Sequence, residues 1–291
     1  MEFIIFEKGK QREYLLKIKE KSQLSWPKLA KLIGKSRSTI LTYLREDCKV
    51  PMKVIDKLNS KYDIKVEYEK VISLKNTKKE IKFPKLSNKF AELIGAIAGD
   101  GHLHLYPAEL SITCHKDLDR EHVYHLSKIF ENLFNQKPKI LFQRNIIKLR
   151  FYSKELVNKL NQEYELPIGR KMNRLRIPSK ILIKQSYLIS FIRGLFDTDG
   201  TINRHHKNSG AIVEISSRDP IFLKDINKAL ISLNFRTSVN YKGVKIYAKS
   251  EIDRFFKLIK PSNPKHNLKY TTFKRTKLVP STREIHKALI V

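Results

Sequence analysis

The amino-acid sequence predicts an α+β protein in which two αββαββα units, related by a pseudo-twofold axis, form a saddle preceded by a small all-α domain. Three observations carry this. Two similar strings, LIGAIAGDG at 93–101 and IRGLFDTDG at 192–200, each describe an apolar, small-residue helix ending in an acid and a glycine. Asp199 follows Asp100 by 99 positions, a period suited to one small domain duplicated within the chain. Behind each string, segments of period 2 and period 3.6 follow in the same order. Ahead of both lies a stretch with helical spacing alone, followed by a lysine-rich run. The expected organisation is a helical domain at 1–68, a basic linker at 69–86, repeats at 87–178 and 179–280, and a tail at 281–291.

The first sixty residues are expected to be helical. Tyr14, Leu15, Leu16 and Ile18 open an amphipathic segment that ends near Ser22. Ser25 can cap a second helix with Pro27 in its first turn, Leu29, Ala30, Leu32 and Ile33 on its apolar face, and Gly34 to break it. Ser36 then caps a third, whose Ile40, Tyr43 and Leu44 recur beneath an outer face of Arg37, Ser38, Thr39 and Thr42. Two helices crossing steeply need a small residue at the crossing, a turn residue able to take positive φ, and an apolar anchor on the second helix; Ala30, Gly34 and Ile40 stand at those places. Over residues 10–62, with a further helix from Pro51, the pattern resembles the helix-turn-helix of phage-repressor-type DNA-binding domains. That resemblance makes 36–45 the recognition helix and offers Lys35, Arg37, Ser38, Thr39 and Thr42 to the major groove. An ordinary small helical bundle is the plainer alternative.

The linker is read either as an extended phosphate contact or as a solvated connector with a short β segment near 71–74. In the first repeat Phe90, Leu93, Ile94 and Ile97 mark a helix, and Gly95 with Gly99 leaves a smooth strip where another backbone can approach. The second repeat offers Leu188, Phe191, Ile192 and Leu195, with Gly194 at the place of Gly95. Gly101 and Gly200 suit left-handed positions that end the two helices. Strands are expected at 102–106, 109–115, 139–143 and 146–152, with helices through 123–134 and from 154. Their counterparts are strands at 211–217, 237–241 and 244–248, with helices through 222–233 and 250–259. Four antiparallel strands covered on one face by helices leave the other, lysine-bearing face free to lie in a DNA groove.

The chain carries 59 Lys+Arg against 29 Asp+Glu, a formal net charge of +30. Such a field favours polyanions. Two acids at the negative ends of two neighbouring helices repel one another unless a cation arrives. Oxygen ligation by carboxylate, backbone carbonyl, phosphate and water suits Mg²⁺ or Mn²⁺, which can activate a water for attack on phosphorus. With carbonyls included, the expected ligands are Asp100, Asp199, Gly99 and Thr198.

The two motifs, their spacing and the element order over residues 87–275 resemble a single-chain LAGLIDADG (dodecapeptide, DOD-type) homing endonuclease. The resemblance implies that each motif helix ends in an acid, here Asp100 and Asp199, that binds an essential divalent ion. It further implies double-strand cleavage across the minor groove of a long, partly symmetric site, leaving short 3′ overhangs. The sixth motif position, usually acidic, holds Asp197 in the second copy and Ala98 in the first, which makes Asp197 structural. Basic and polar residues around the metals orient water and stabilise the phosphorane; the candidates are His115 or Lys116 with Lys148 in the first copy, and Ser217 or Arg218 with Lys245 in the second.

Two other functions fit the same features: a non-catalytic DNA-binding transcriptional regulator on a decayed LAGLIDADG fold, and an RNA splicing maturase. Both motif acids being present favours the nuclease. His102 with His104, and His205 with His206, lack the partners that zinc requires. Trp26 belongs to the core. Cys48 and Cys114 show no metal or secretory spacing, and no segment resembles a signal peptide or bilayer span, so a reduced, cytoplasmic setting is expected. No splice-junction nucleophile flanks the nuclease core, so a free-standing protein rather than an intein is expected. The built-in pseudo-twofold predicts a monomer on double-stranded DNA.

Overall fold

A computed structural model describes residues 2–66, 68, 70–73, 81, 83–206 and 209–290. The backbone separates into two compact units, 1–80 and 81–291. The first contains β1 (Glu2–Ile5), α1 (Lys10–Ser22), α2 (Trp26–Leu32), α3 (Arg37–Leu44), α4 (Met52–Tyr62) and β2 (Lys70–Ser73). Ile18, Leu29, Ala30, Ile40, Val54 and Leu58 meet in its core. Buried Gln11 donates through Nε2 to the carbonyls of Tyr43 (2.7 Å) and Cys48 (2.9 Å), satisfying backbone groups in the last turn of α3 and just beyond it. Gly34 takes φ +67° between α2 and α3, and the Ser36 hydroxyl accepts from the Thr39 amide to cap α3.

The helical expectation fails at the start of the chain. β1 pairs antiparallel with β2, Phe3 opposite Ile72 and Ile4 opposite Val71, and Ile4 is fully buried. A four-residue strand gains its hydrogen bonds from a partner more than sixty residues away, which no local period reveals. The pairing also draws residues 70–73 of the supposed linker into the first unit; residues 74–80 lie outside the described set.

The second unit opens with α5 (Asn88–Ala98), β3 (Gly101–Leu105), β4 (Ala108–His115), α6 (Arg120–Phe134), β5 (Lys139–Gln143), β6 (Ile146–Tyr152) and α7 (Lys154–Tyr164). After α8 (Ser179–Leu182) the pattern returns as α9 (Gln185–Asp199), β7 (Gly200–His206), β8 (Ser209–Ser216), α10 (Pro220–Ser232), β9 (Ser238–Val239), β10 (Gly243–Ile246) and α11 (Lys249–Ile259). Each repeat forms a four-stranded antiparallel sheet, in the orders β3-β4-β6-β5 and β7-β8-β10-β9. Serine and aspartate caps set the helix starts: Ser87 for α5, Ser153 for α7 and Asp219 for α10 each accept from backbone amides. Two further helices, α12 (Pro264–Thr276) and α13 (Thr282–Ile290), occupy what the sequence left undivided or assigned to a tail. The interior side of α12 includes His266 and Lys269 beside Phe273, so it lacks an apolar stripe. β7 was also missed, because Ile202 is its only aliphatic residue.

The repeats meet where α5 and α9 cross. A Cβ placed on Gly95 would strike the Phe191 carbonyl and crowd the Leu195 amide; one on Gly194 would strike the Glu92 carbonyl and crowd the Ala96 amide. Each partner is displaced by the same 99 residues, so the two contacts are pseudo-twofold images. Gly101 and Gly200 correct the sequence reading. Gly200 is extended (φ −91°, ψ 161°) and Gly101 has no positive φ. Both are needed because a Cβ would collide with the preceding helical turn, at Ile97 and Phe196 respectively.

Candidate active site

Crossing at paired glycines brings the ends of α5 and α9 together. Asp199 is the last residue of α9, and Asp100 follows Gly99, the C-cap of α5. A Cβ on Gly99 would run into the Thr198 hydroxyl and come within 3.3 Å of Asp199 Oδ2. Gly99 thus provides the space into which Thr198 and Asp199 project. Both acids are half-buried. Burial pushes the Asp199 carboxyl up to about 7, with repulsion from Asp100 adding to it; burial also raises Asp100, against the attraction of Lys265 and Lys171. Cys114, buried in β4, lies with Sγ 3.8 Å from Asp100 Oδ2, and burial raises its thiol pKa further.

Two lysines that sequence reasoning missed border this pair. Lys171, between α7 and α8, donates through Nζ to the carbonyls of Ile97 (2.9 Å), Ala98 (2.9 Å) and Gly99 (2.6 Å). It closes the C-terminus of α5 and neutralises its dipole. Burial lowers its ammonium pKa to about 8, opposed by Asp199 and Asp100. Lys265, in the first turn of α12, contacts Asp119 Oδ1 at 2.6 Å and lowers the carboxyl pKa values of both Asp100 and Asp199. Lys171 lies seven residues beyond the end of α7 at Tyr164, and Lys265 six beyond the end of α11 at Ile259. The two offsets differ and the 99-residue period carries Lys171 to Tyr270, so the repeat alone does not pair the two lysines.

The sixth motif positions differ. Asp197 accepts from the amides of Ser262 (2.8 Å) and Asn263 (3.0 Å), which fastens α9 to the start of α12. Burial raises its carboxyl pKa to about 7 against those two bonds. Asn263 Nδ2 also donates to the Asp197 carbonyl and to Asp119 Oδ1. In the first repeat Ala98 leaves that place without a carboxylate, and the Lys171 ammonium serves the helix end instead. Farther along α5, Glu92 is wholly buried and accepts from His125 Nε2 (2.6 Å), Ser262 Oγ (2.8 Å) and Arg193 Nη1 (3.3 Å). Burial pushes it up, but the His125 and Ser262 hydrogen bonds hold it at about 2.

The remaining candidates are more dispersed. Lys148 lies opposite Thr113 and Arg150 opposite Ser111, and both basic groups engage Glu109, at 3.6 and 2.9 Å. Lys245 lies opposite Glu214, 3.8 Å away. Gly101 pairs with Ile112 and Gly200 with Ile215, so Glu214 corresponds to Ser111 and Lys245 to Arg150. The chosen lysines are therefore not pseudo-symmetry mates. Asp199, Gly99 and Lys171 border an open cleft of ≈ 1320 Å³ together with Glu214, Ser217 and Arg218. His115 and Lys116 sit at the far end of β4, where the His115 amide donates to Asp119 Oδ2 and the Lys116 amide to the Asn145 carbonyl. The Gly99 carbonyl is already engaged by Lys171, and the Thr198 hydroxyl donates back to the carbonyls of Gly194 and Leu195. Lys35, Arg37 and Ser38 are exposed on the first unit, with Thr39 and Thr42 half-buried.

Residues 186–260 match the family model of the LAGLIDADG-like domain. Comparison with curated proteins gives no match. Among solved structures, the chain is similar to mesophilic variants of the homing endonuclease I-DmoI (18% identity, 59% of this chain and 94% of that one, TM-score 0.45). It is also similar to the homing endonuclease I-WcaI bound to its DNA recognition sequence (16%, 65% and 89%, 0.46) and to the N-terminal LAGLIDADG domain of DUF199/WhiA (18%, 61% and 86%, 0.41).

Proposed function

We propose that this chain is a site-specific, divalent-metal-dependent double-strand DNA endonuclease of the homing type. The observation that carries the proposal is the pair Asp100 and Asp199: two carboxylates from duplicated motifs, half-buried at adjoining helix ends and both costly to ionise through burial, with Asp100 adding to the cost at Asp199. Two repelling carboxylates with backbone carbonyls nearby form an all-oxygen donor set of the hard kind that Mg²⁺ or Mn²⁺ takes. Asp100 and Asp199 would hold the ions, with the Thr198 carbonyl as a further donor. A bound ion would supply Lewis-acid stabilisation of phosphoryl charge and a water of lowered pKa.

The protein's own contribution is positional and electrostatic. The Lys171 ammonium stands beside both acids and, with its pKa near 8, can hold or release a proton close to neutral pH. Lys265, on α12 of the second half, adds positive charge that acts on both acids, foremost on Asp100. The outer faces of the two sheets, with Lys148, Arg150 and Lys245, would follow the duplex. His115, Lys116, Ser217 and Arg218 would add contacts at the ends of β4 and β8. The first unit would read a flank through α3 as a helix-turn-helix, with Lys35, Arg37, Ser38, Thr39 and Thr42 toward the major groove. Phosphate neutralisation by so basic a chain supports double-stranded DNA as the partner.

The test is cleavage of a randomised duplex library with Mg²⁺ or EDTA. Metal-dependent cuts with 3′ overhangs at one recurrent site are expected. They should fall by about 10²-fold or more in Asp100→Asn, Asp199→Asn and Lys171→Met, while each variant keeps most of its DNA affinity. Selective retention of one sequence without any cutting would sink the nuclease reading and favour the regulator.

A further inference from the structure

Away from the motif helices, three side chains separated in sequence converge on one edge of the first repeat. His115 ends β4, Asp117 lies in the turn before α6, and His286 comes from α13, 169 residues beyond Asp117. One donor atom from each lies within 4.8 Å of the other two. His286 Nε2 stands 3.2 Å from Asp117 Oδ2, and the two imidazoles meet edge to face with centroids 5.8 Å apart.

We propose that His115, Asp117 and His286 form a site for one borderline transition-metal dication, Zn²⁺ or a similar ion, which fastens α13 to the β4–α6 turn. Two imidazoles with one carboxylate suit that class of ion, whereas Mg²⁺ takes an all-oxygen set and binds imidazole nitrogen poorly. Zinc bonds of about 2.0–2.1 Å set tetrahedral ligand atoms roughly 3.3 Å apart, and the His286–Asp117 separation already has that length. The other Asp117 oxygen, Oδ1, faces Arg120 Nη2 at 3.9 Å, so Oδ2 is left for the ion.

His115 Nδ1 accepts from the amides of Asp117 and Leu118, both at 3.3 Å. A coordinated imidazole carries its remaining proton on the other nitrogen, so binding costs these two contacts, which are at the long end of hydrogen-bond range. The backbone around the site is held independently of them. Asp119 Oδ2 accepts from the His115 amide, Ile285 anchors α13 in the interior, and Ser281 and Glu284 cap the helix. A cavity of ≈ 210 Å³ bordered by Asp117, Leu118, Arg120, Glu121, Pro264 and Leu289 gives water access for the open fourth position.

The experiment is titration of the full chain with Zn²⁺ alone and with Co²⁺ alone, in an Asp100→Asn/Asp199→Asn background so that those two acids contribute nothing. One equivalent of Zn²⁺ is expected, with tetrahedral Co²⁺ absorption in the visible and a rise in Tm on Zn²⁺ addition. His286→Ala and Asp117→Asn should each weaken binding by at least about tenfold and abolish the Tm rise. His286 is half-buried and its hydrogen-bond and ring contacts among the described residues are with the proposed partners Asp117 and His115, so His286→Ala is expected to fold. Absence of Zn²⁺ binding, or unchanged stoichiometry and affinity in both variants, would overturn the proposal without bearing on DNA cleavage.

Discussion

Asp199 makes the protein's stability depend on pH in an uncommon direction. Its carboxyl pKa is raised from the usual carboxylate value to about 7 in the folded chain, so the folded state binds protons more tightly than the unfolded one. Its contribution is full below about pH 4 and is lost as pH rises through 7. Without metal, Asp199→Asn should therefore stabilise the second unit at pH 8 by about 2 kcal/mol, after allowance for solvent screening, and leave pH 4 stability nearly unchanged. Denaturant melts at the two pH values check this, and a larger gain at pH 4 would refute it. Glu92 has the opposite sign. Held at about 2, it contributes stability above its unfolded value of about 4.5 that disappears as pH falls toward 2. Both motif acids were legible in the sequence, since an acid and a glycine after a small-residue helix appear twice. Lys171 was not, because its role depends on a tertiary approach to the carbonyls of 97–99 that no spacing along the chain encodes. That Lys245 corresponds to Arg150 and not to Lys148 follows from strand register, which shifts with one residue of turn length and is not readable from the sequence.

At the element scale, the α5 and α9 crossing is the point of least tolerance. Gly95 and Gly194 each face backbone of the opposite helix, which cannot rotate aside as a side chain can. Gly95→Val or Gly194→Val should cost about 3 kcal/mol or more and lower the Tm of this unit by roughly 6–12 °C. Thermal unfolding followed by circular dichroism is the check. A loss under a degree would show that the helices slide apart freely. The helices and strands of the repeats were legible because one face of each is apolar at a clear period. β1, β7, α12 and α13 were not: β1 depends on a distant partner, β7 has a single aliphatic residue, and α12 turns His266 and Lys269 inward. α13 occupies the 281–291 stretch expected as a tail.

For the whole molecule, a net charge of +30 should appear as a steep salt dependence. If the chain neutralises roughly 6–10 phosphates, log K against log[salt] should have a slope of about −5 to −9. Asp100→Asn should leave that slope unchanged, and a shallow slope in fluorescence-anisotropy titrations would contradict a phosphate-tracking surface. The duplication makes the chain its own partner, and light scattering should give the mass of one 34.2 kDa chain.

The place where Gly99 yields to Thr198 gives that duplication a direction. Two copies of the second half alone would bring Thr198 against Thr198 where there is space for only one side chain. Two copies of the first half would bury Glu92 without the Arg193 and Ser262 hydrogen bonds, leaving it only Lys89 and His125 of its own half. The two halves are therefore complementary and not interchangeable: at the seam each supplies what the other lacks, and neither would pair as well with a copy of itself.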